Sequence, residues 1–547
     1  MTSSTVIDQN DPHMNPFPKS AWATADRVLA TLTLDQCLGQ LLCPDVTDRK
    51  PKDLRTLLAE VPFGSIFIGG KSSADWRAAT SAVAGMLPVP VIVASDFEHG
   101  AGCMIADGAT DFPWAMAAGA AGDPALVRTM GEASAREGRT HGAHWTLGPV
   151  IDLAINPNNP VVNTRAIGSN PAQVARLGCA WIDGIQKGAR MAACAKHFPG
   201  DGTDDRDQHL CTSLNTLDVP AWRRTYGRVW QAAINQGTMS IMIGHIAFPA
   251  YERKSAARAL PATLSPRLLK DLLRKELGFE GVILSDAMVM AGITSRMPSD
   301  LIAVEFLRAG GDVVLFADVG RDFTALQKAV AAGRLTERGV REKARRVLAM
   351  KATLGLFDKT VEKPLAAVEA KRFQAAAKAM AEKSLTLYRS DTALPAKLKK
   401  GAKILTVTVG YEGGSSSHLN SKLPAIGEEL KARGFTVDHL HNPGSGKLRE
   451  LAPQYDRIFV NVSVCAHSNM GTVRMTAPIC FNFWMTPWVD IPGKFVFTAF
   501  GNPWLAHEQP HLPNLLLAFG NSVVSQRAAV RVWLGELKPT GKLPVSV

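Results

Sequence analysis

Short apolar runs alternate with amphipathic helical stretches up to about residue 356, and this alternation constrains the fold more than any other feature of the chain. Eight alternations of strand and helix are what a (β/α)8 barrel requires. We therefore predict an α/β fold that begins with a TIM-type barrel. The apolar runs span residues 39–45, 64–70, 89–96, 144–152, 191–197, 239–248, 281–286 and 312–316, and the clearest helical stretches span 123–137, 171–187, 221–236 and 266–277.

Polar and charged residues lie at the C-terminal ends of these runs. Barrel active sites are built at the carboxyl ends of the strands. The pattern of residues and the predicted fold thus point to one face of the barrel as the site. The residues concerned are Asp96, Glu98, Asp152, Lys196, His197, His245 and Asp286.

The densest cluster of ionisable residues follows the fifth run. It reads Lys196-His-Phe-Pro-Gly-Asp-Gly202 and continues to Asp207-Gln208-His209. A carboxylate two residues before a histidine can orient the imidazole and stabilise its charged form, which makes the histidine a usable proton shuttle. A merely solvated loop has no need of Phe-Pro between its charges. We interpret the cluster as catalytic.

A single acid, Asp286, ends the seventh apolar run. An aspartate at such a position is either a helix N-cap or an active-site group. The presence of the Asp207/His209 pair favours the catalytic interpretation of Asp286. A carboxylate facing a proton donor is the pair that cleaves a glycosidic bond, one group attacking the anomeric carbon and the other protonating the leaving oxygen.

The pattern KHFPGDG-x4-D-x-H, with the later Ser285-Asp286-Ala-Met288, resembles glycoside hydrolase family 3, specifically its β-N-acetylglucosaminidase branch. The resemblance extends over nearly the whole chain. Further landmarks are Asp96-Phe-Glu98, Asp152, Asn163-Thr-Arg165-Ala-Ile-Gly168, Met242-Ile-Gly-His245, Gly311-Asp312, Gly501-Asn502-Pro503-Trp504 and Gly541-Lys542-Leu543-Pro544-Val545.

The resemblance implies a retaining, exo-acting enzyme that hydrolyses terminal β-linked N-acetylglucosamine, as in cell-wall recycling. Asp286 would form the glycosyl-enzyme, and His209, paired with Asp207, would act as acid and then base in place of the glutamate of other branches. No cofactor and no metal is expected. The residues implied to hold the sugar hydroxyls are Asp96, Arg165, Lys196 and His197.

Of two departures from the branch, the first leaves the substrate range open, and the second leaves the Asp-x-His spacing intact. The muropeptide-recycling members have arginines at the positions of Ala101 and Met104, and Gln208 stands where Ser or Thr is commoner. A β-glucosidase and a phosphorylase that uses the same residues are therefore alternatives. A histidine repels phosphate less than a glutamate does, which keeps phosphate open as the acceptor.

The sequence also offers two functions of other classes. In a metal-dependent hydrolase, His197, Asp201, Asp207 and His209 would be ligands, but their spacing matches no common zinc pattern and Asp286 would have no role. A sugar-binding barrel without catalysis is disfavoured because all three candidate catalytic residues are present. We expect structural roles near the site for His245 and Asp152, and a core or pocket-wall position for Met288 and Met290.

The composition of the chain changes after the barrel. We predict a polar N-terminal extension at 1–20, the barrel at 21–360, a helical linker at 361–390 and an α/β layered (sandwich) domain at 391–547. A helical stretch at 365–387 leads to strand-like runs at 403–409, 457–464 and 494–500 and helices at 423–433 and 525–534. The loop at 410–418 lacks the Gly-Lys-Ser/Thr ending of a phosphate loop and is read as an ordinary loop.

Composition and charge argue against a nucleic-acid-binding or membrane protein. The 547 residues are 46% apolar and 20% charged, which is typical of a soluble globular enzyme. The net charge of +12 comes from basic residues interleaved with acids, so we expect a small glycoside or amino-sugar oligosaccharide as partner, without nucleic acid or membrane; a homodimer stays open. Because the N-terminus lacks a secretory pattern and the eight cysteines are scattered, we expect buried free thiols and a cytoplasmic location.

Overall fold

The computed structural model describes residues 15–186, 191–358, 362–411, 422–444, 446–466, 469, 471–475, 480, 488, 490–491 and 493–547. Most of the predicted N-terminal extension and of the 410–418 loop lies outside the described residues, as does Lys187.

The first part of the chain is a parallel barrel, as predicted. Strands β2 to β7 form a six-stranded sheet in sequence order, and β1 pairs with β8. Bridges from Asp45 to Phe67 and from Leu284 to Val313 join the two sets into a ring. The strands are β1 (Leu42–Cys43), β2 (Ser65–Phe67), β3 (Ile92–Ser95), β4 (Trp145–Thr146), β5 (Ala192–Phe198), β6 (Ser240–Ile243), β7 (Val282–Ser285) and β8 (Val314–Leu315).

Each predicted apolar run coincides with one barrel strand, and only β5 extends one residue beyond its run, to Phe198. Parallel strands covered on both faces need continuous apolar sequence. Outside the ring, two short parallel pairs extend the loops at its C-terminal face. They are formed by Lys71–Ser72 with Ile105–Ala106 and by Ser213–Leu214 with Ile246–Ala247.

Helices surround the ring, and several begin where the sequence supplies a cap. Asp123, followed by Pro124, accepts hydrogen bonds from the amides of Ala125 and Leu126 and starts the helix Pro124–Thr140. The α-helices are Lys19–Leu29, Leu34–Gly39, Pro51–Glu60, Ser73–Val83, Ala115–Ala121, Pro124–Thr140, Pro171–Gln186, Val219–Trp222, Arg228–Asn235, Pro249–Glu252, Ala291–Thr294, Ser299–Ala309, Val319–Ala331 and Glu337–Thr353. Arg223–Gly227 and Arg267–Glu276 are π-helical, and Ala101–Cys103, Asn163–Arg165 and Ala262–Leu264 are 3-10 turns.

The second part of the chain is built on another six-stranded sheet, in the order β9-β14-β13-β12-β10-β11, parallel except for β9. Its strands are β9 (Thr386–Arg389), β10 (Lys403–Gly410), β11 (Thr436–His441), β12 (Arg457–Ser463), β13 (Phe495–Ala499) and β14 (Leu515–Leu517). Its helices are Pro424–Ala432, Lys447–Leu451, Leu505–Glu508 and Val523–Trp533, with a 3-10 turn at Ala452–Gln454.

The sequence predicted the buried central strands of this sheet and missed three others. β9 and β11 are edge strands, and β11 is largely exposed, so neither carries a continuous apolar run. β14 has only three residues. The predicted helix at 365–387 is correspondingly shorter, since it spans Ala367–Ser384 before the chain enters β9.

The long helix Ala367–Ser384 connects the cores of the two parts. Phe373 and Met380 belong to the barrel core, whereas Ala381 and Leu385 belong to the core of the second sheet. The C-terminal segment also returns to the barrel, where the Pro544 carbonyl accepts a hydrogen bond from the Ser169 amide at 3.0 Å. The second domain is therefore packed directly on the barrel.

The described helices include none with an apolar stretch long enough to cross a membrane. All eight cysteines lie within the described residues, and none of them is paired in a disulfide.

Gly119→Ala should destabilise the protein by about 1–3 kcal/mol, because it overpacks a close backbone contact. A Cβ at Gly119 would lie 1.8 Å from the Ile167 carbonyl oxygen and 3.1 Å from Pro544 Cβ. Gly427→Ala is the matched control, since nothing lies within 4 Å of an added Cβ in its helix. It should be neutral or stabilise by up to about 1 kcal/mol. Denaturant unfolding measures both, and an equal effect of the two substitutions would contradict the prediction.

Candidate active site

Six of the seven predicted site residues line one cavity at the carboxyl ends of the barrel strands, and the seventh, Asp207, lies directly behind His209. The cavity has a volume of about 490 Å³. Its lining residues are Asp96, Leu147, Arg165, Lys196, His197, His209, Met242, Asp286, Ala287, Val289, Met290, Leu315, Phe316 and Asn469. The barrel thus brings together predicted site residues that are up to 190 positions apart in the sequence, from Asp96 to Asp286.

A buried ion network forms one side of the cavity. Lys196 Nζ lies 2.7 Å from Asp96 Oδ1 and 2.6 Å from Glu98 Oε1. Arg165 grips the same Glu98 through two nitrogens, with Nε to Oε2 at 2.9 Å and Nη2 to Oε1 at 2.7 Å. The network presents charged donors and acceptors in fixed positions, which suits recognition of a polar ligand.

Opposite charges in this network stabilise the ionised forms of Lys196 and Glu98. Burial opposes ionisation of Lys196, but Asp96 and Glu98 raise its pKa above the ordinary value. Burial likewise opposes ionisation of Glu98, yet Arg165 and Lys196 hold the pKa of its carboxyl well below the ordinary value. The Lys196 and Glu98 side chains therefore stay ionised at neutral pH.

His197 is oriented from behind by Asp152, which is fully buried. Its Nδ1 lies 2.7 Å from Asp152 Oδ2, and its main-chain amide donates to the same oxygen at 3.1 Å. The Asp201 amide donates to the other Asp152 oxygen at 2.7 Å. The Lys196–His197 peptide bond is cis. Because Nδ1 is engaged, the Nε2 edge of His197 faces the cavity, 3.9 Å from Asp286 Oδ2.

Asp286 follows β7 and enters the cavity with 8% of its surface exposed. The next helix begins at Ala291, so Asp286 is not its N-cap. The Ala287 amide donates to Asp286 Oδ1 at 2.8 Å. Burial alone would raise the pKa of Asp286, but the charge of His197, His245 and His209 lowers the pKa below its usual range. The lowered pKa favours the ionised form of this carboxylate at the cavity.

His209 and Asp207 form the predicted pair. His209 Nδ1 lies 2.7 Å from Asp207 Oδ1, and the His209 amide donates to that oxygen at 2.8 Å. Burial works against the charge on Asp207, but its hydrogen bonds and proximity to His209 lower its pKa. An ionised carboxylate only accepts, so Nδ1 is the donor and Nε2 is left to exchange a proton with a ligand.

His245 and Gln208 support the loop that carries this pair. The Gln208 side-chain oxygen accepts from the His245 amide at 2.8 Å. The His245 ring is held between Thr263 Oγ1 at 2.7 Å and the Ala287 carbonyl at 3.0 Å. Both side chains therefore have structural partners, in agreement with the structural role expected for His245.

Two contributors were not predicted as site residues. Glu98 was named among the polar residues at the strand ends but was given no role, although it binds both Lys196 and Arg165. Asn469 comes from the second domain, and no sequence motif marks it. Met290 lines the cavity and Met288 packs in the core, as expected.

Ala101 and Met104, where the resemblance leads to an expectation of arginines, are not among the residues that line the cavity. Ala101 is buried in a 3-10 turn, and Met104 is half-buried against the barrel core. The Met104 carbonyl accepts from Trp76 Nε1 at 2.8 Å. Ala101 and Met104 therefore do not belong to the buried ion network.

The alternative metal-ligand set gains no support from the geometry. Among the residues that the structure describes, no three ligand-type side chains are placed to share an ion. His197 is engaged with Asp152, whereas His209 is engaged with Asp207.

Comparison with known proteins adds three findings. The model of the glycosyl hydrolase family 3 N-terminal domain matches residues 33–350. A β-N-acetylglucosaminidase/β-glucosidase from Cellulomonas fimi is 30% identical over 550 residues, which cover 96% of this chain and 95% of that protein. Two solved structures are also similar over almost their full lengths.

The first of these structures is a β-glucoside phosphorylase bound to 2FGlc, with a TM-score of 0.88, 29% identity and 98% of each chain covered. The second is a glycoside hydrolase family 3 β-N-acetylglucosaminidase from Paenibacillus sp. str. FPU-7, with a TM-score of 0.84 and 26% identity. That comparison covers 94% of this chain and 99% of the Paenibacillus chain.

Proposed function

Because this chain belongs to glycoside hydrolase family 3 and is a glycoside hydrolase, we propose that it removes terminal β-linked N-acetylglucosamine from small glycosides by a retaining mechanism. The observation that carries this proposal is the shared cavity of Asp286 and His209, with Asp207 behind the imidazole. A nucleophilic carboxylate and a separate proton donor at one cavity are the two groups that a retaining mechanism needs.

In the first step, His209 gives its Nε2 proton to the glycosidic oxygen as the bond from that oxygen to C1 breaks. One Asp286 carboxylate oxygen bonds to C1 and forms the glycosyl-enzyme. In the second step, water attacks C1, gives its proton to His209 and releases Asp286. Asp207 stabilises the charged form of the imidazole and holds its Nδ1 proton throughout.

The ion network supports binding of the sugar hydroxyls. Lys196 and Arg165 offer donors and Asp96 offers acceptors to the cavity, while Glu98 fixes Lys196 and Arg165 from behind. The Lys196 side chain is only 3% exposed, so this wall lies deep in the cavity. A deep polar wall favours the terminal sugar of a chain, which is the basis for proposing exo action.

Apolar side chains beside Asp286 support a 2-acetamido substituent. The attacked carbon C1 is adjacent to C2, so the surroundings of the nucleophile also surround the substituent on C2. Met242, Leu315 and Phe316 come from the strand ends on either side of Asp286 and line the cavity. An acetamido methyl group buried against them would gain about 0.8 kcal/mol or more from the loss of water contact.

Phosphorolysis is the second candidate, and two observations favour it. The similar structure with 29% identity is a β-glucoside phosphorylase. In addition, a histidine at the acid/base position repels an incoming phosphate less than a carboxylate would. Attack of a phosphate oxygen on C1 would release Asp286 and give a sugar 1-phosphate.

Asp286→Ala should reduce turnover by at least ~10³-fold, because neither attack nor charge stabilisation survives the loss of the nucleophile. Azide should partly restore turnover of activated aryl glycosides and give a glycosyl azide of inverted configuration. Asp300→Ala, which removes an exposed carboxylate of the helix Ser299–Ala309, is the control. An Asp286→Ala enzyme that keeps a tenth of its activity would remove this residue from the mechanism.

His209→Ala should impair substrates with poor leaving groups far more than activated aryl glycosides, since only poor leaving groups need protonation. General acid catalysis is worth about 10²–10⁴-fold, and the two substrate types should separate by that order in kcat/KM. Asp207→Asn should give a milder separation because the imidazole is retained. Equal losses on both substrate types would mean that His209 is structural.

The 2-acetamido group should raise kcat/KM at least about tenfold over the glucoside, which is about 1.4 kcal/mol of transition-state binding. The measurement compares 4-nitrophenyl β-N-acetylglucosaminide with the β-glucoside, each with and without phosphate, and identifies the sugar product. Equal kcat/KM values for the two substrates would contradict the proposed specificity for the 2-acetamido group. Faster release with phosphate and a sugar 1-phosphate product would establish phosphorolysis.

A further inference from the structure

We infer that the second domain positions the acid/base pair, through the main-chain amide of Asn469. The inference rests on the proposed function, because it concerns the His209–Asp207 pair of the same site. Asn469 is a positioning residue in this account and takes no part in the bond changes.

The contact is direct and completes the bonding of Asp207. The Asn469 amide donates to Asp207 Oδ2 at 2.9 Å, while His209 occupies Oδ1 through both its ring and its amide. Each carboxylate oxygen therefore has a fixed donor, one from the barrel loop and one from the second domain. Hydrogen bonds to an ionised group are stronger than neutral ones, so this amide is well suited to fix the carboxylate.

A second contact joins the same two segments. A Cβ added at Gly471 would lie 3.7 Å from Leu210 Cδ1, so the side chain next to His209 reaches the residues just after Asn469. Asn469 also lines the cavity beside His209. The leaving group protonated by His209 would therefore pass between the barrel loop and the second domain.

The segment that carries Asn469 is itself tied to the barrel. Arg474 Nε donates to Asn158 Oδ1 at 2.6 Å. One residue earlier, the Val473 carbonyl accepts from Asn502 Nδ2 at 3.0 Å, and Asn502 Oδ1 accepts from Asn163 Nδ2 at 3.2 Å. These bonds fix the second domain against the loops that surround the cavity.

The backbone conformation of Asn469 offers a way to test the amide separately from the side chain. Its φ of +66° lies in the left-handed region, which glycine and asparagine adopt readily and β-branched residues do not. Asn469→Gly removes the side chain but keeps both the conformation and the amide. Asn469→Val keeps an amide but drives the backbone out of the conformation that aims it at Asp207.

The experiment measures kcat/KM for an activated aryl glycoside and for an alkyl glycoside of the same sugar. Asn469→Val should lose about tenfold on the alkyl substrate and less than about twofold on the aryl substrate, since the loss of one charge-assisted hydrogen bond is on that scale. Asn469→Gly, which keeps the amide, should leave the ratio of the two kcat/KM values within about twofold of the wild-type ratio. Equal behaviour of the two variants on the alkyl substrate would overturn the inference.

A double-mutant cycle separates positioning from general stability. Arg474→Ala should lose about 3- to 10-fold on the alkyl substrate in the wild-type background, because it frees the segment that holds Asn469. In the His209→Ala background, neither Arg474→Ala nor Asn469→Val should change the ratio of the two substrates. Arg527→Ala, which breaks an exposed contact to Glu429 within the second domain, is the control and should leave the ratio unchanged.

The outcomes separate the two proposals. If His209→Ala alone fails to separate the substrates, the acid/base assignment is wrong and this inference fails with it. If His209→Ala separates them but the Asn469 and Arg474 variants leave the ratio unchanged, only the role of the second domain fails. Effects of Arg474→Ala and Asn469→Val that persist undiminished in the His209→Ala background would also overturn it, because they would not act through the imidazole.

Discussion

The Lys196 ammonium group is almost fully buried, and the ion network on one side of the cavity is arranged around it. An ammonium group taken out of water costs several kcal/mol unless carboxylates and hydrogen bonds replace its hydration. Asp96 and Glu98 supply the carboxylates, and Arg165 balances the second of them. These ion pairs join the ends of β3 and β5 to the turn that carries Arg165. The four side chains are therefore held in place by their own contacts, as strong discrimination between similar ligands requires.

The two proposed catalytic groups are held in different ways. Asp286 follows a barrel strand directly, and its amide donates to the Ile243 carbonyl of the neighbouring strand at 2.9 Å. His209 lies on a loop outside the ring and depends on Asp207 for its orientation. Burial disfavours the charge on Asp286, and the surrounding histidines reverse that preference. The position of the proposed nucleophile is thus fixed by the barrel strands, whereas the position of the proposed proton donor is fixed by contacts between loops.

The sequence was sufficient where structure and chemistry leave a local pattern. The eight barrel strands are buried on both faces, so each appears as an apolar run, and Asp286, Lys196 and His197 are recognisable because they end such runs. Edge strands such as β9 and β11 have no such pattern, because water covers part of them. Glu98 was visible, but its double partnership with Lys196 and Arg165 depends on the curvature of the barrel. Asn469 left no signal, since its contact uses a main-chain amide that every residue but proline has.

The interface between the domains supports both halves of the site. Asn502 of the second domain binds Asn163, two residues before Arg165, while the Asn469 amide binds Asp207. A Cβ at Gly168 would lie 2.5 Å from the Pro544 carbonyl oxygen, so the C-terminal segment packs tightly beside the turn that carries Arg165. A displacement of the second domain would therefore affect the charged wall and the proton donor together. Since the described contacts of Asp286 come from the barrel, the proposed mechanism makes the domain interface bear more directly on sugar binding and proton transfer than on nucleophilic attack.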